Sequence, residues 1–387
     1  MRFEIDRKAF AAALALAAKA LPARPVNPVL GRVLVRADAA AGAVELVAGS
    51  AEATVGLTVP ADIGEGGVTL LSKDAVACVK ETRLGRVEVT CLGGLPAMNT
   101  TPAYRAKTAF DPDSHPWRWP ADDRVRATVT TDAATVRRLI GATGLACGVW
   151  TEENLSAMHA AAVVLFATPD DDGGPGRLMA AATDKKVFAV AARFDGPQLA
   201  APVPASAADL MMSFLDAGPV AVRVLAGPDG YTCGARLDGD GWWVRCPVSA
   251  SRPPPFAQVL RAVSPLPNRF VADAAGLSRA VKMAALAMDR RVARMEVRVG
   301  GGRLALTGVG DDGETTADVP CDGECRPFAV AGDVLRDVTG AAAEFGGGLV
   351  ELAVDAAAPD SIGVFSGDLC YAFKALARPP GGDRDGA

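Results

Sequence analysis

An aspartate recurs three times along the chain, each time four residues ahead of the first large apolar anchor of an amphipathic helix: Asp6 before Phe10, Asp132 before Val136 and Asp273 before Leu277. A carboxylate placed there caps the free N–H groups of a first helical turn. Short strand-like stretches precede the three caps, at residues 3–5, 127–129 and 270–272. Alternating strand segments and a second, shorter helix follow each capped helix. Repetition at this length predicts three copies of one domain. The individual residues supply no reaction.

The repeats agree in detail. Phe10, Leu14, Ala17 and Leu21 keep helical spacing until Pro22 and Pro25 stop the helix. Strand alternation follows at 33–35 and 44–47, then a helix over about 72–82 and a strand at 87–90. The second stripe is Val136, Ile140, Thr143 and Cys147, with a later helix expected over 209–215 and a strand at 220–224. The third is Leu277, Val281, Ala284 and Met288, with a helix near 332–339 ahead of a strand at 349–354. Several strands between helices imply antiparallel pairing, because parallel units need a crossover helix each time. The fold class is therefore α+β, with helices on one face of the sheets. Seams fall near 117–123 and 252–267, and the Asp- and Gly-rich stretch 169–176 reads as a connection inside the second repeat. The boundaries become 1–122, 123–254 and 255–378, with an apolar-poor tail, 379–387, expected to be disordered.

Composition narrows the function. With 40 basic against 45 acidic residues, a formal charge of −5 excludes a wholesale basic nucleic-acid binder. It leaves room for a local basic face. No apolar run is long enough to span a bilayer, and the Ala-Leu stretch 11–18 has helical period, follows Glu4 and Asp6 and is interrupted by Lys19, unlike a signal peptide. Eight scattered cysteines fit buried free thiols of a reducing cytoplasm. His115 and His159 are too isolated for a metal site or an acid–base pair, and each is expected to be a surface or loop residue. Cys321-Asp322-Gly323-Glu324-Cys325 lacks a second ligand pair and reads as a reverse turn. Gly300-Gly301-Gly302 joins two strands without the helix that phosphate binding requires. Strand alternation sends one ring of Trp242-Trp243 inward and one outward. Thr183-Asp184 has no accompanying nucleophile-elbow motif. No cofactor or catalytic residue is expected.

Three stretches carry a family resemblance. Arg24-Pro25-Val26-Asn27-Pro28-Val29-Leu30-Gly31, at its distance from the opening Met1-Arg2-Phe3, is one. Ala182-Thr183-Asp184 with Val187-Phe188-Ala189-Val190 is another, and Arg252-Pro253-Pro254-Pro255-Phe256 with Val259-Leu260 is the third. In this order, over the chain to about Arg378, they resemble the bacterial DNA polymerase III β subunit, the sliding clamp. The resemblance implies three similar clamp domains per chain and a head-to-tail homodimer forming a ring of six domains around double-stranded DNA. It implies a non-catalytic, cytoplasmic processivity factor that tethers the polymerase III α subunit and other polymerases and is handled by a clamp loader, with no membrane partner. A clamp-fold paralogue acting as a regulatory or interaction module is the alternative.

The resemblance makes the helices line the ring, so their cations are the candidates for DNA contact: Arg7, Lys8, Arg137, Arg138, Arg279 and Lys282 on the first helices and Lys73, Lys80 and Arg336 on the second, while Arg24 matches a DNA-contacting position of the family. Flexible cations on helix faces suit sequence-independent binding to phosphate. It assigns a peptide pocket to Thr183, Val187, Phe188, Pro254, Val259, Val292, Leu376 and Arg378. The dimer interface falls to Tyr104 and Ala106 against Leu286 and Ala287. The chain also departs from the pattern. Lys185-Lys186-Val187 replaces Gly-His-Arg, the last strand reads Tyr371-Ala372-Phe373-Lys374-Ala375-Leu376 where Met-Pro-x-Arg is usual, and Ala329 and Gly332 stand where larger or polar residues are expected. These changes predict weak binding of the usual peptide or preference for another. Alanine at 106 and 287 predicts less apolar area at the interface, at roughly 25 cal/mol per Å².

Overall fold

The computed structural model describes residues 1–117, 124–147, 162–168, 177–184, 186–191, 199–227, 229–247, 256–288, 293–355 and 361–376. One element order occurs three times. The first pass runs β1 (Arg2–Asp6), α1 (Arg7–Lys19), β2 (Val33–Asp38), β3 (Ala43–Gly49), β4 (Thr54–Glu65), β5 (Gly67–Leu71), α2 (Lys73–Glu81), β6 (Arg86–Leu92), β7 (Leu95–Met98) and β8 (Tyr104–Arg105). The second has β9 (Arg124–Asp132), α3 (Ala133–Gly144), β10 (Ala162–Thr168), β11 (Arg177–Thr183), β12 (Val187–Ala191), β13 (Leu199–Pro204), α4 (Ala205–Met212), β14 (Pro219–Ala226), β15 (Thr232–Gly239) and β16 (Trp242–Pro247). Helix α5 (Phe256–Val263) leads to the third: β17 (Asn268–Asp273), α6 (Ala274–Ala284), β18 (Arg294–Gly300), β19 (Arg303–Gly310), β20 (Gly313–Pro320), β21 (Cys325–Ala331), α7 (Gly332–Phe345), β22 (Leu349–Val354), β23 (Ser361–Ser366) and β24 (Leu369–Lys374).

All three aspartates cap as their spacing implies. The carboxylate of Asp6 accepts from the Ala9 N–H at 2.9 Å, and that of Asp273 from the Gly276 N–H at 2.6 Å. Asp132 accepts both the N–H and the hydroxyl of Thr135, at 2.7 and 2.8 Å, and these bonds hold its pKa below the usual carboxylate value. The stripes behind the caps are buried: Phe10, Leu14 and Ala17 on α1, Val136 and Ile140 on α3, Leu277, Val281 and Ala284 on α6. Ser72 caps α2 through the Ala75 N–H, at 3.3 Å.

The described strand pairings are antiparallel, and they do not respect the repeats. A twelve-stranded sheet runs β8-β7-β6-β1-β4-β16-β15-β14-β9, with β2, β3 and β5 attached through β3 to β4. The first repeat thus joins the last strands of the second by β4–β16 pairing, Trp242 opposite Leu57 and Arg245 opposite Thr54. An eight-stranded sheet, β13-β10-β11-β12-β24-β23-β22-β17, joins the four strands between α3 and α4 of the second repeat to the third, and β20-β19-β18-β21 forms a separate sheet. The chain accordingly divides into two compact units. Met1–Val136 with Ser206–Ala250 makes one; Arg137–Thr168, Arg177–Ala205 and Ser251–Ala387 make the other. Repetition is threefold while compact units number two, because two sheets each draw strands from two repeats.

Several local expectations need correction. Helix α4 starts at Ala205 instead of 209, with Asp209 exposed inside it, and the Ser206 hydroxyl donates to Glu52. Helix α7 continues through Gly340 to Phe345 because Ala341 and Ala342 are buried. The second seam contains a helix, α5, whose apolar side chains pack onto β12, β23 and β24. His115 does lie in a loop but is not at the surface: it is 1% exposed, with its ring nitrogens 3.3 Å from the Trp117 carbonyl and 3.2 Å from that of Arg32. His159 lies outside the described residues. Both tryptophan rings are half-buried: Trp242 packs on Phe214 at 5.5 Å, and Trp243 covers Gly56 beside Val29, Leu34 and Val47. Of the cysteines only Cys246, Cys321 and Cys370 are buried, and Cys233 is exposed. Gly301 and Gly302, at φ +60° and +75°, turn the β18–β19 hairpin, a left-handed conformation that glycine tolerates.

Candidate nucleic-acid and peptide interfaces

The cations assigned to DNA stand on helices of all three repeats but in different turns. Arg7 and Lys8 fill the first turn of α1, which holds no acidic residue. Cations at that end oppose the helix dipole, so helix stability does not explain them. Lys8 is exposed, while the Arg7 guanidinium reaches the Lys80 carbonyl at 3.5 Å. Lys73 and Lys80 are exposed on α2, and the Lys73 ammonium donates to the Pro22 carbonyl at 3.4 Å, at the base of the loop carrying exposed Arg24. Arg279 and Lys282 are exposed on α6. Arg336, exposed on α7, faces Asp337 at 3.1 Å.

The second repeat differs. Arg137 and Arg138 are half-buried, and Arg138 makes a two-pronged pair with Asp368 at 2.5 and 2.8 Å. Asp368 sits in the β23–β24 turn, so the pair clasps α3 to that hairpin. The hydrogen bonds hold the Asp368 pKa below the usual carboxylate value and raise that of Arg138. Burial raises the pKa of Tyr371, whose hydroxyl has no hydrogen-bond partner among the described residues. No local sequence pattern signals this clasp, whose ends lie 230 residues apart.

The pocket residues that are described gather in the second unit. Thr183 and Val187 are buried, at 2% and 4% exposure, and serve as walls beneath the surface. Phe188 is half-buried between two apolar clusters. One contains Val164, Phe166, Met179, Ala181, Val190 and Phe256; the other contains Val263, Cys370 and Ala372 with Val259, Leu260, Leu266 and Phe365. Phe188 meets Phe256 edge-on at 6.2 Å, an arrangement favoured by ring quadrupoles. Leu376 bridges to Ala329, its N–H donating to that carbonyl at 2.9 Å. Pro254, Val292 and Arg378 lie outside the described residues. Leu260 and Phe256 join the same surface, and the spacing Phe256, Val259, Leu260, Val263 was the helical signal for them. At Ala329 and Gly332 space is tight: Ala329 is buried, and a Cβ on Gly332 would overlap the Met288 sulfur.

The candidate interface residues sit at sheet ends. Strand β8, with Tyr104, ends the twelve-stranded sheet, and the Tyr104 hydroxyl lies 3.0 Å from the Ser72 hydroxyl. Ala106 is half-buried, its N–H on the Pro96 carbonyl. Leu286 is 80% exposed and Met283 51%, with half-buried Ala287 beside them. These residues pack beside β20, the end strand of the four-stranded sheet.

Residues 1–93 match the family model of the DNA polymerase III beta subunit, N-terminal domain. No curated protein matches the sequence. Among solved structures, the DNA polymerase III subunit beta of Pseudomonas aeruginosa aligns at TM-score 0.81 and 16% identity, covering 98% of this chain and 100% of its own. The sliding clamp of Bartonella birtlesii, solved with griselimycin bound, aligns at 0.81 and 15% with the same coverage. The beta subunit of Thermotoga maritima gives 0.78 and 16%, covering 97% and 99%. The chain therefore has the sliding-clamp fold over nearly its whole length, and its first 93 residues match the N-terminal domain of the DNA polymerase III β subunit.

Proposed function

We propose that this chain is a DNA sliding clamp, a processivity factor that makes and breaks no bond itself. Two copies pair head to tail into a ring of six similar domains, with boundaries in each chain near 1–122, 123–254 and 255–378. The ring encloses duplex DNA in the cytoplasm, and the apolar surface around Phe188 takes peptides from polymerases, including the polymerase III α subunit, and from the clamp loader. The observation that carries this reading is the threefold element order with cations on the helices of every repeat, in a fold shared with sliding clamps. Strand ends support the pairing. An end strand offers unpaired backbone groups, and β8 and β20 each end a sheet, near Tyr104 and near the exposed Leu286. No helix among the described residues is long and apolar enough to cross a membrane.

Light scattering after size exclusion at micromolar concentration tests the ring, and a dimer mass is expected. Retention on closed circular DNA, with loss on linearisation in the presence of a loader, tests encirclement. One observation favours the second reading, a clamp-fold module without a ring: Arg138 is held by Asp368 instead of being presented to solvent. A strict monomer indifferent to DNA topology would support that module.

A further inference from the structure

We propose that the apolar surface around Phe188 ends in a cationic lip made by Lys186 and Lys374, and that its peptide carries an acidic side chain directly beside the apolar anchors. This rests on reading that surface as a peptide site, and it specifies the partner's chemistry.

The placement follows from strand register. In the β12–β24 pair, Val187 lies opposite Phe373 and Phe188 opposite Ala372. Lys186 directly precedes Val187 and Lys374 directly follows Phe373, so the two lysines are cross-strand neighbours where the pairing ends. Both are exposed. Ala372 lies in the cluster that packs Phe188, Val259 and Leu260, so the lysines stand at the rim of the apolar surface.

Like charges on neighbouring strands repel, and the adjacent Asp184 carboxylate is committed to backbone. Asp184 accepts the backbone N–H groups of Lys186 and Val187 at 2.8 and 2.7 Å, closing the turn. Neither lysine ammonium forms an ion pair among the described residues. A peptide carboxylate beside a Leu or Phe anchor would relieve the repulsion while the anchor covers Phe188. Nucleic acid is the poorer fit, because two neighbouring lysines make no extended cationic track along which a phosphate backbone could run.

The test uses the full chain and two fluorescein-labelled octapeptides blocked at both ends, Ser-Gly-Asp-Leu-Leu-Phe-Gly-Ser and its Asn-for-Asp counterpart, read by fluorescence anisotropy. The acidic peptide is expected to bind about three- to tenfold more tightly at low salt, as two exposed ion pairs allow. That advantage should shrink with added salt and vanish in Lys186→Glu/Lys374→Glu, a double variant of exposed residues. Phe188→Asp should weaken both peptides alike. Equal binding of the two peptides, or a preference that survives the double charge reversal, overturns the lip and leaves the peptide site standing. Binding of neither peptide brings down the peptide-site reading itself. The proposal also fails if a free terminal carboxylate on the Asn peptide restores the preference, or if the double variant loses affinity for an oligothymidylate and not for the acidic peptide.

Discussion

Each cap carboxylate accepts a backbone N–H that the helix itself leaves without a partner. Replacing Asp273 by Ala removes that acceptor, and a loss of about 1 kcal/mol is expected in urea unfolding, with Asn retaining most of it. Deleting the anchor behind the cap costs more: Leu277→Ala, at a position with no exposure, should cost about 2–5 kcal/mol. The Asp368 clasp carries a pH signature. Its folded pKa is depressed, so its contribution is present above the unfolded aspartate range and is lost as pH falls through the folded value. Asp368→Asn should therefore lower the melting temperature at pH 7, with the gap to the parent closing in acid. Thiol labelling separates buried from accessible cysteines. Burial pushes the Cys246 thiol up to about 12, and the thiolate is the reactive form. Iodoacetamide on the native protein should modify Cys233 and spare Cys246, as peptide mapping would reveal.

Elements with local signals were legible in the sequence. The capped helices α1, α3 and α6 came from an aspartate and a stripe within one stretch of chain, and Ser72 marked α2 equally well. The rest depended on partners remote in sequence. Helix α5 was hidden among seam prolines, although Phe256, Val259, Leu260 and Val263 keep helical spacing. Helix α4 begins four residues ahead of its expected start, where Ala207 and Ala208 are buried by packing. Burial of His115 depends on the Arg32 carbonyl, and no local pattern announces that. Of the candidate sites, the apolar pocket positions on β12 and α5 come from the family resemblance and not from a stripe read in the sequence. The engagement of Arg138 was not legible. Packing of β19 against the end of α6 gives an element-scale prediction. A Cβ on Gly308 would overlap the Ala284 carbonyl oxygen, so Gly308→Ala should cost about 1–3 kcal/mol. The urea midpoint should fall with the slope unchanged.

For the whole molecule, the charge pattern predicts how DNA binding responds to salt. Removing one phosphate-binding cation should flatten the log–log salt dependence by about 0.9 on duplex DNA. Substituting Arg7, Lys8, Arg279 and Lys282 by Ala should weaken binding to unrelated duplexes alike, measured by anisotropy across a salt series. Arg138→Ala should change that slope least, because Asp368 already holds its guanidinium. Sheet sharing has a different consequence. The strands of the middle repeat are divided between two sheets, so the copies that recur in sequence are not separable modules. A fragment ending at residue 122 would leave the β4 edge from Thr54 to Leu57 without β16, and the Trp243 ring would no longer cover Gly56. Such an open edge invites self-association. If the chain arose by triplication of an ancestral unit, its ancestor must have covered that edge differently, by pairing with another copy of itself.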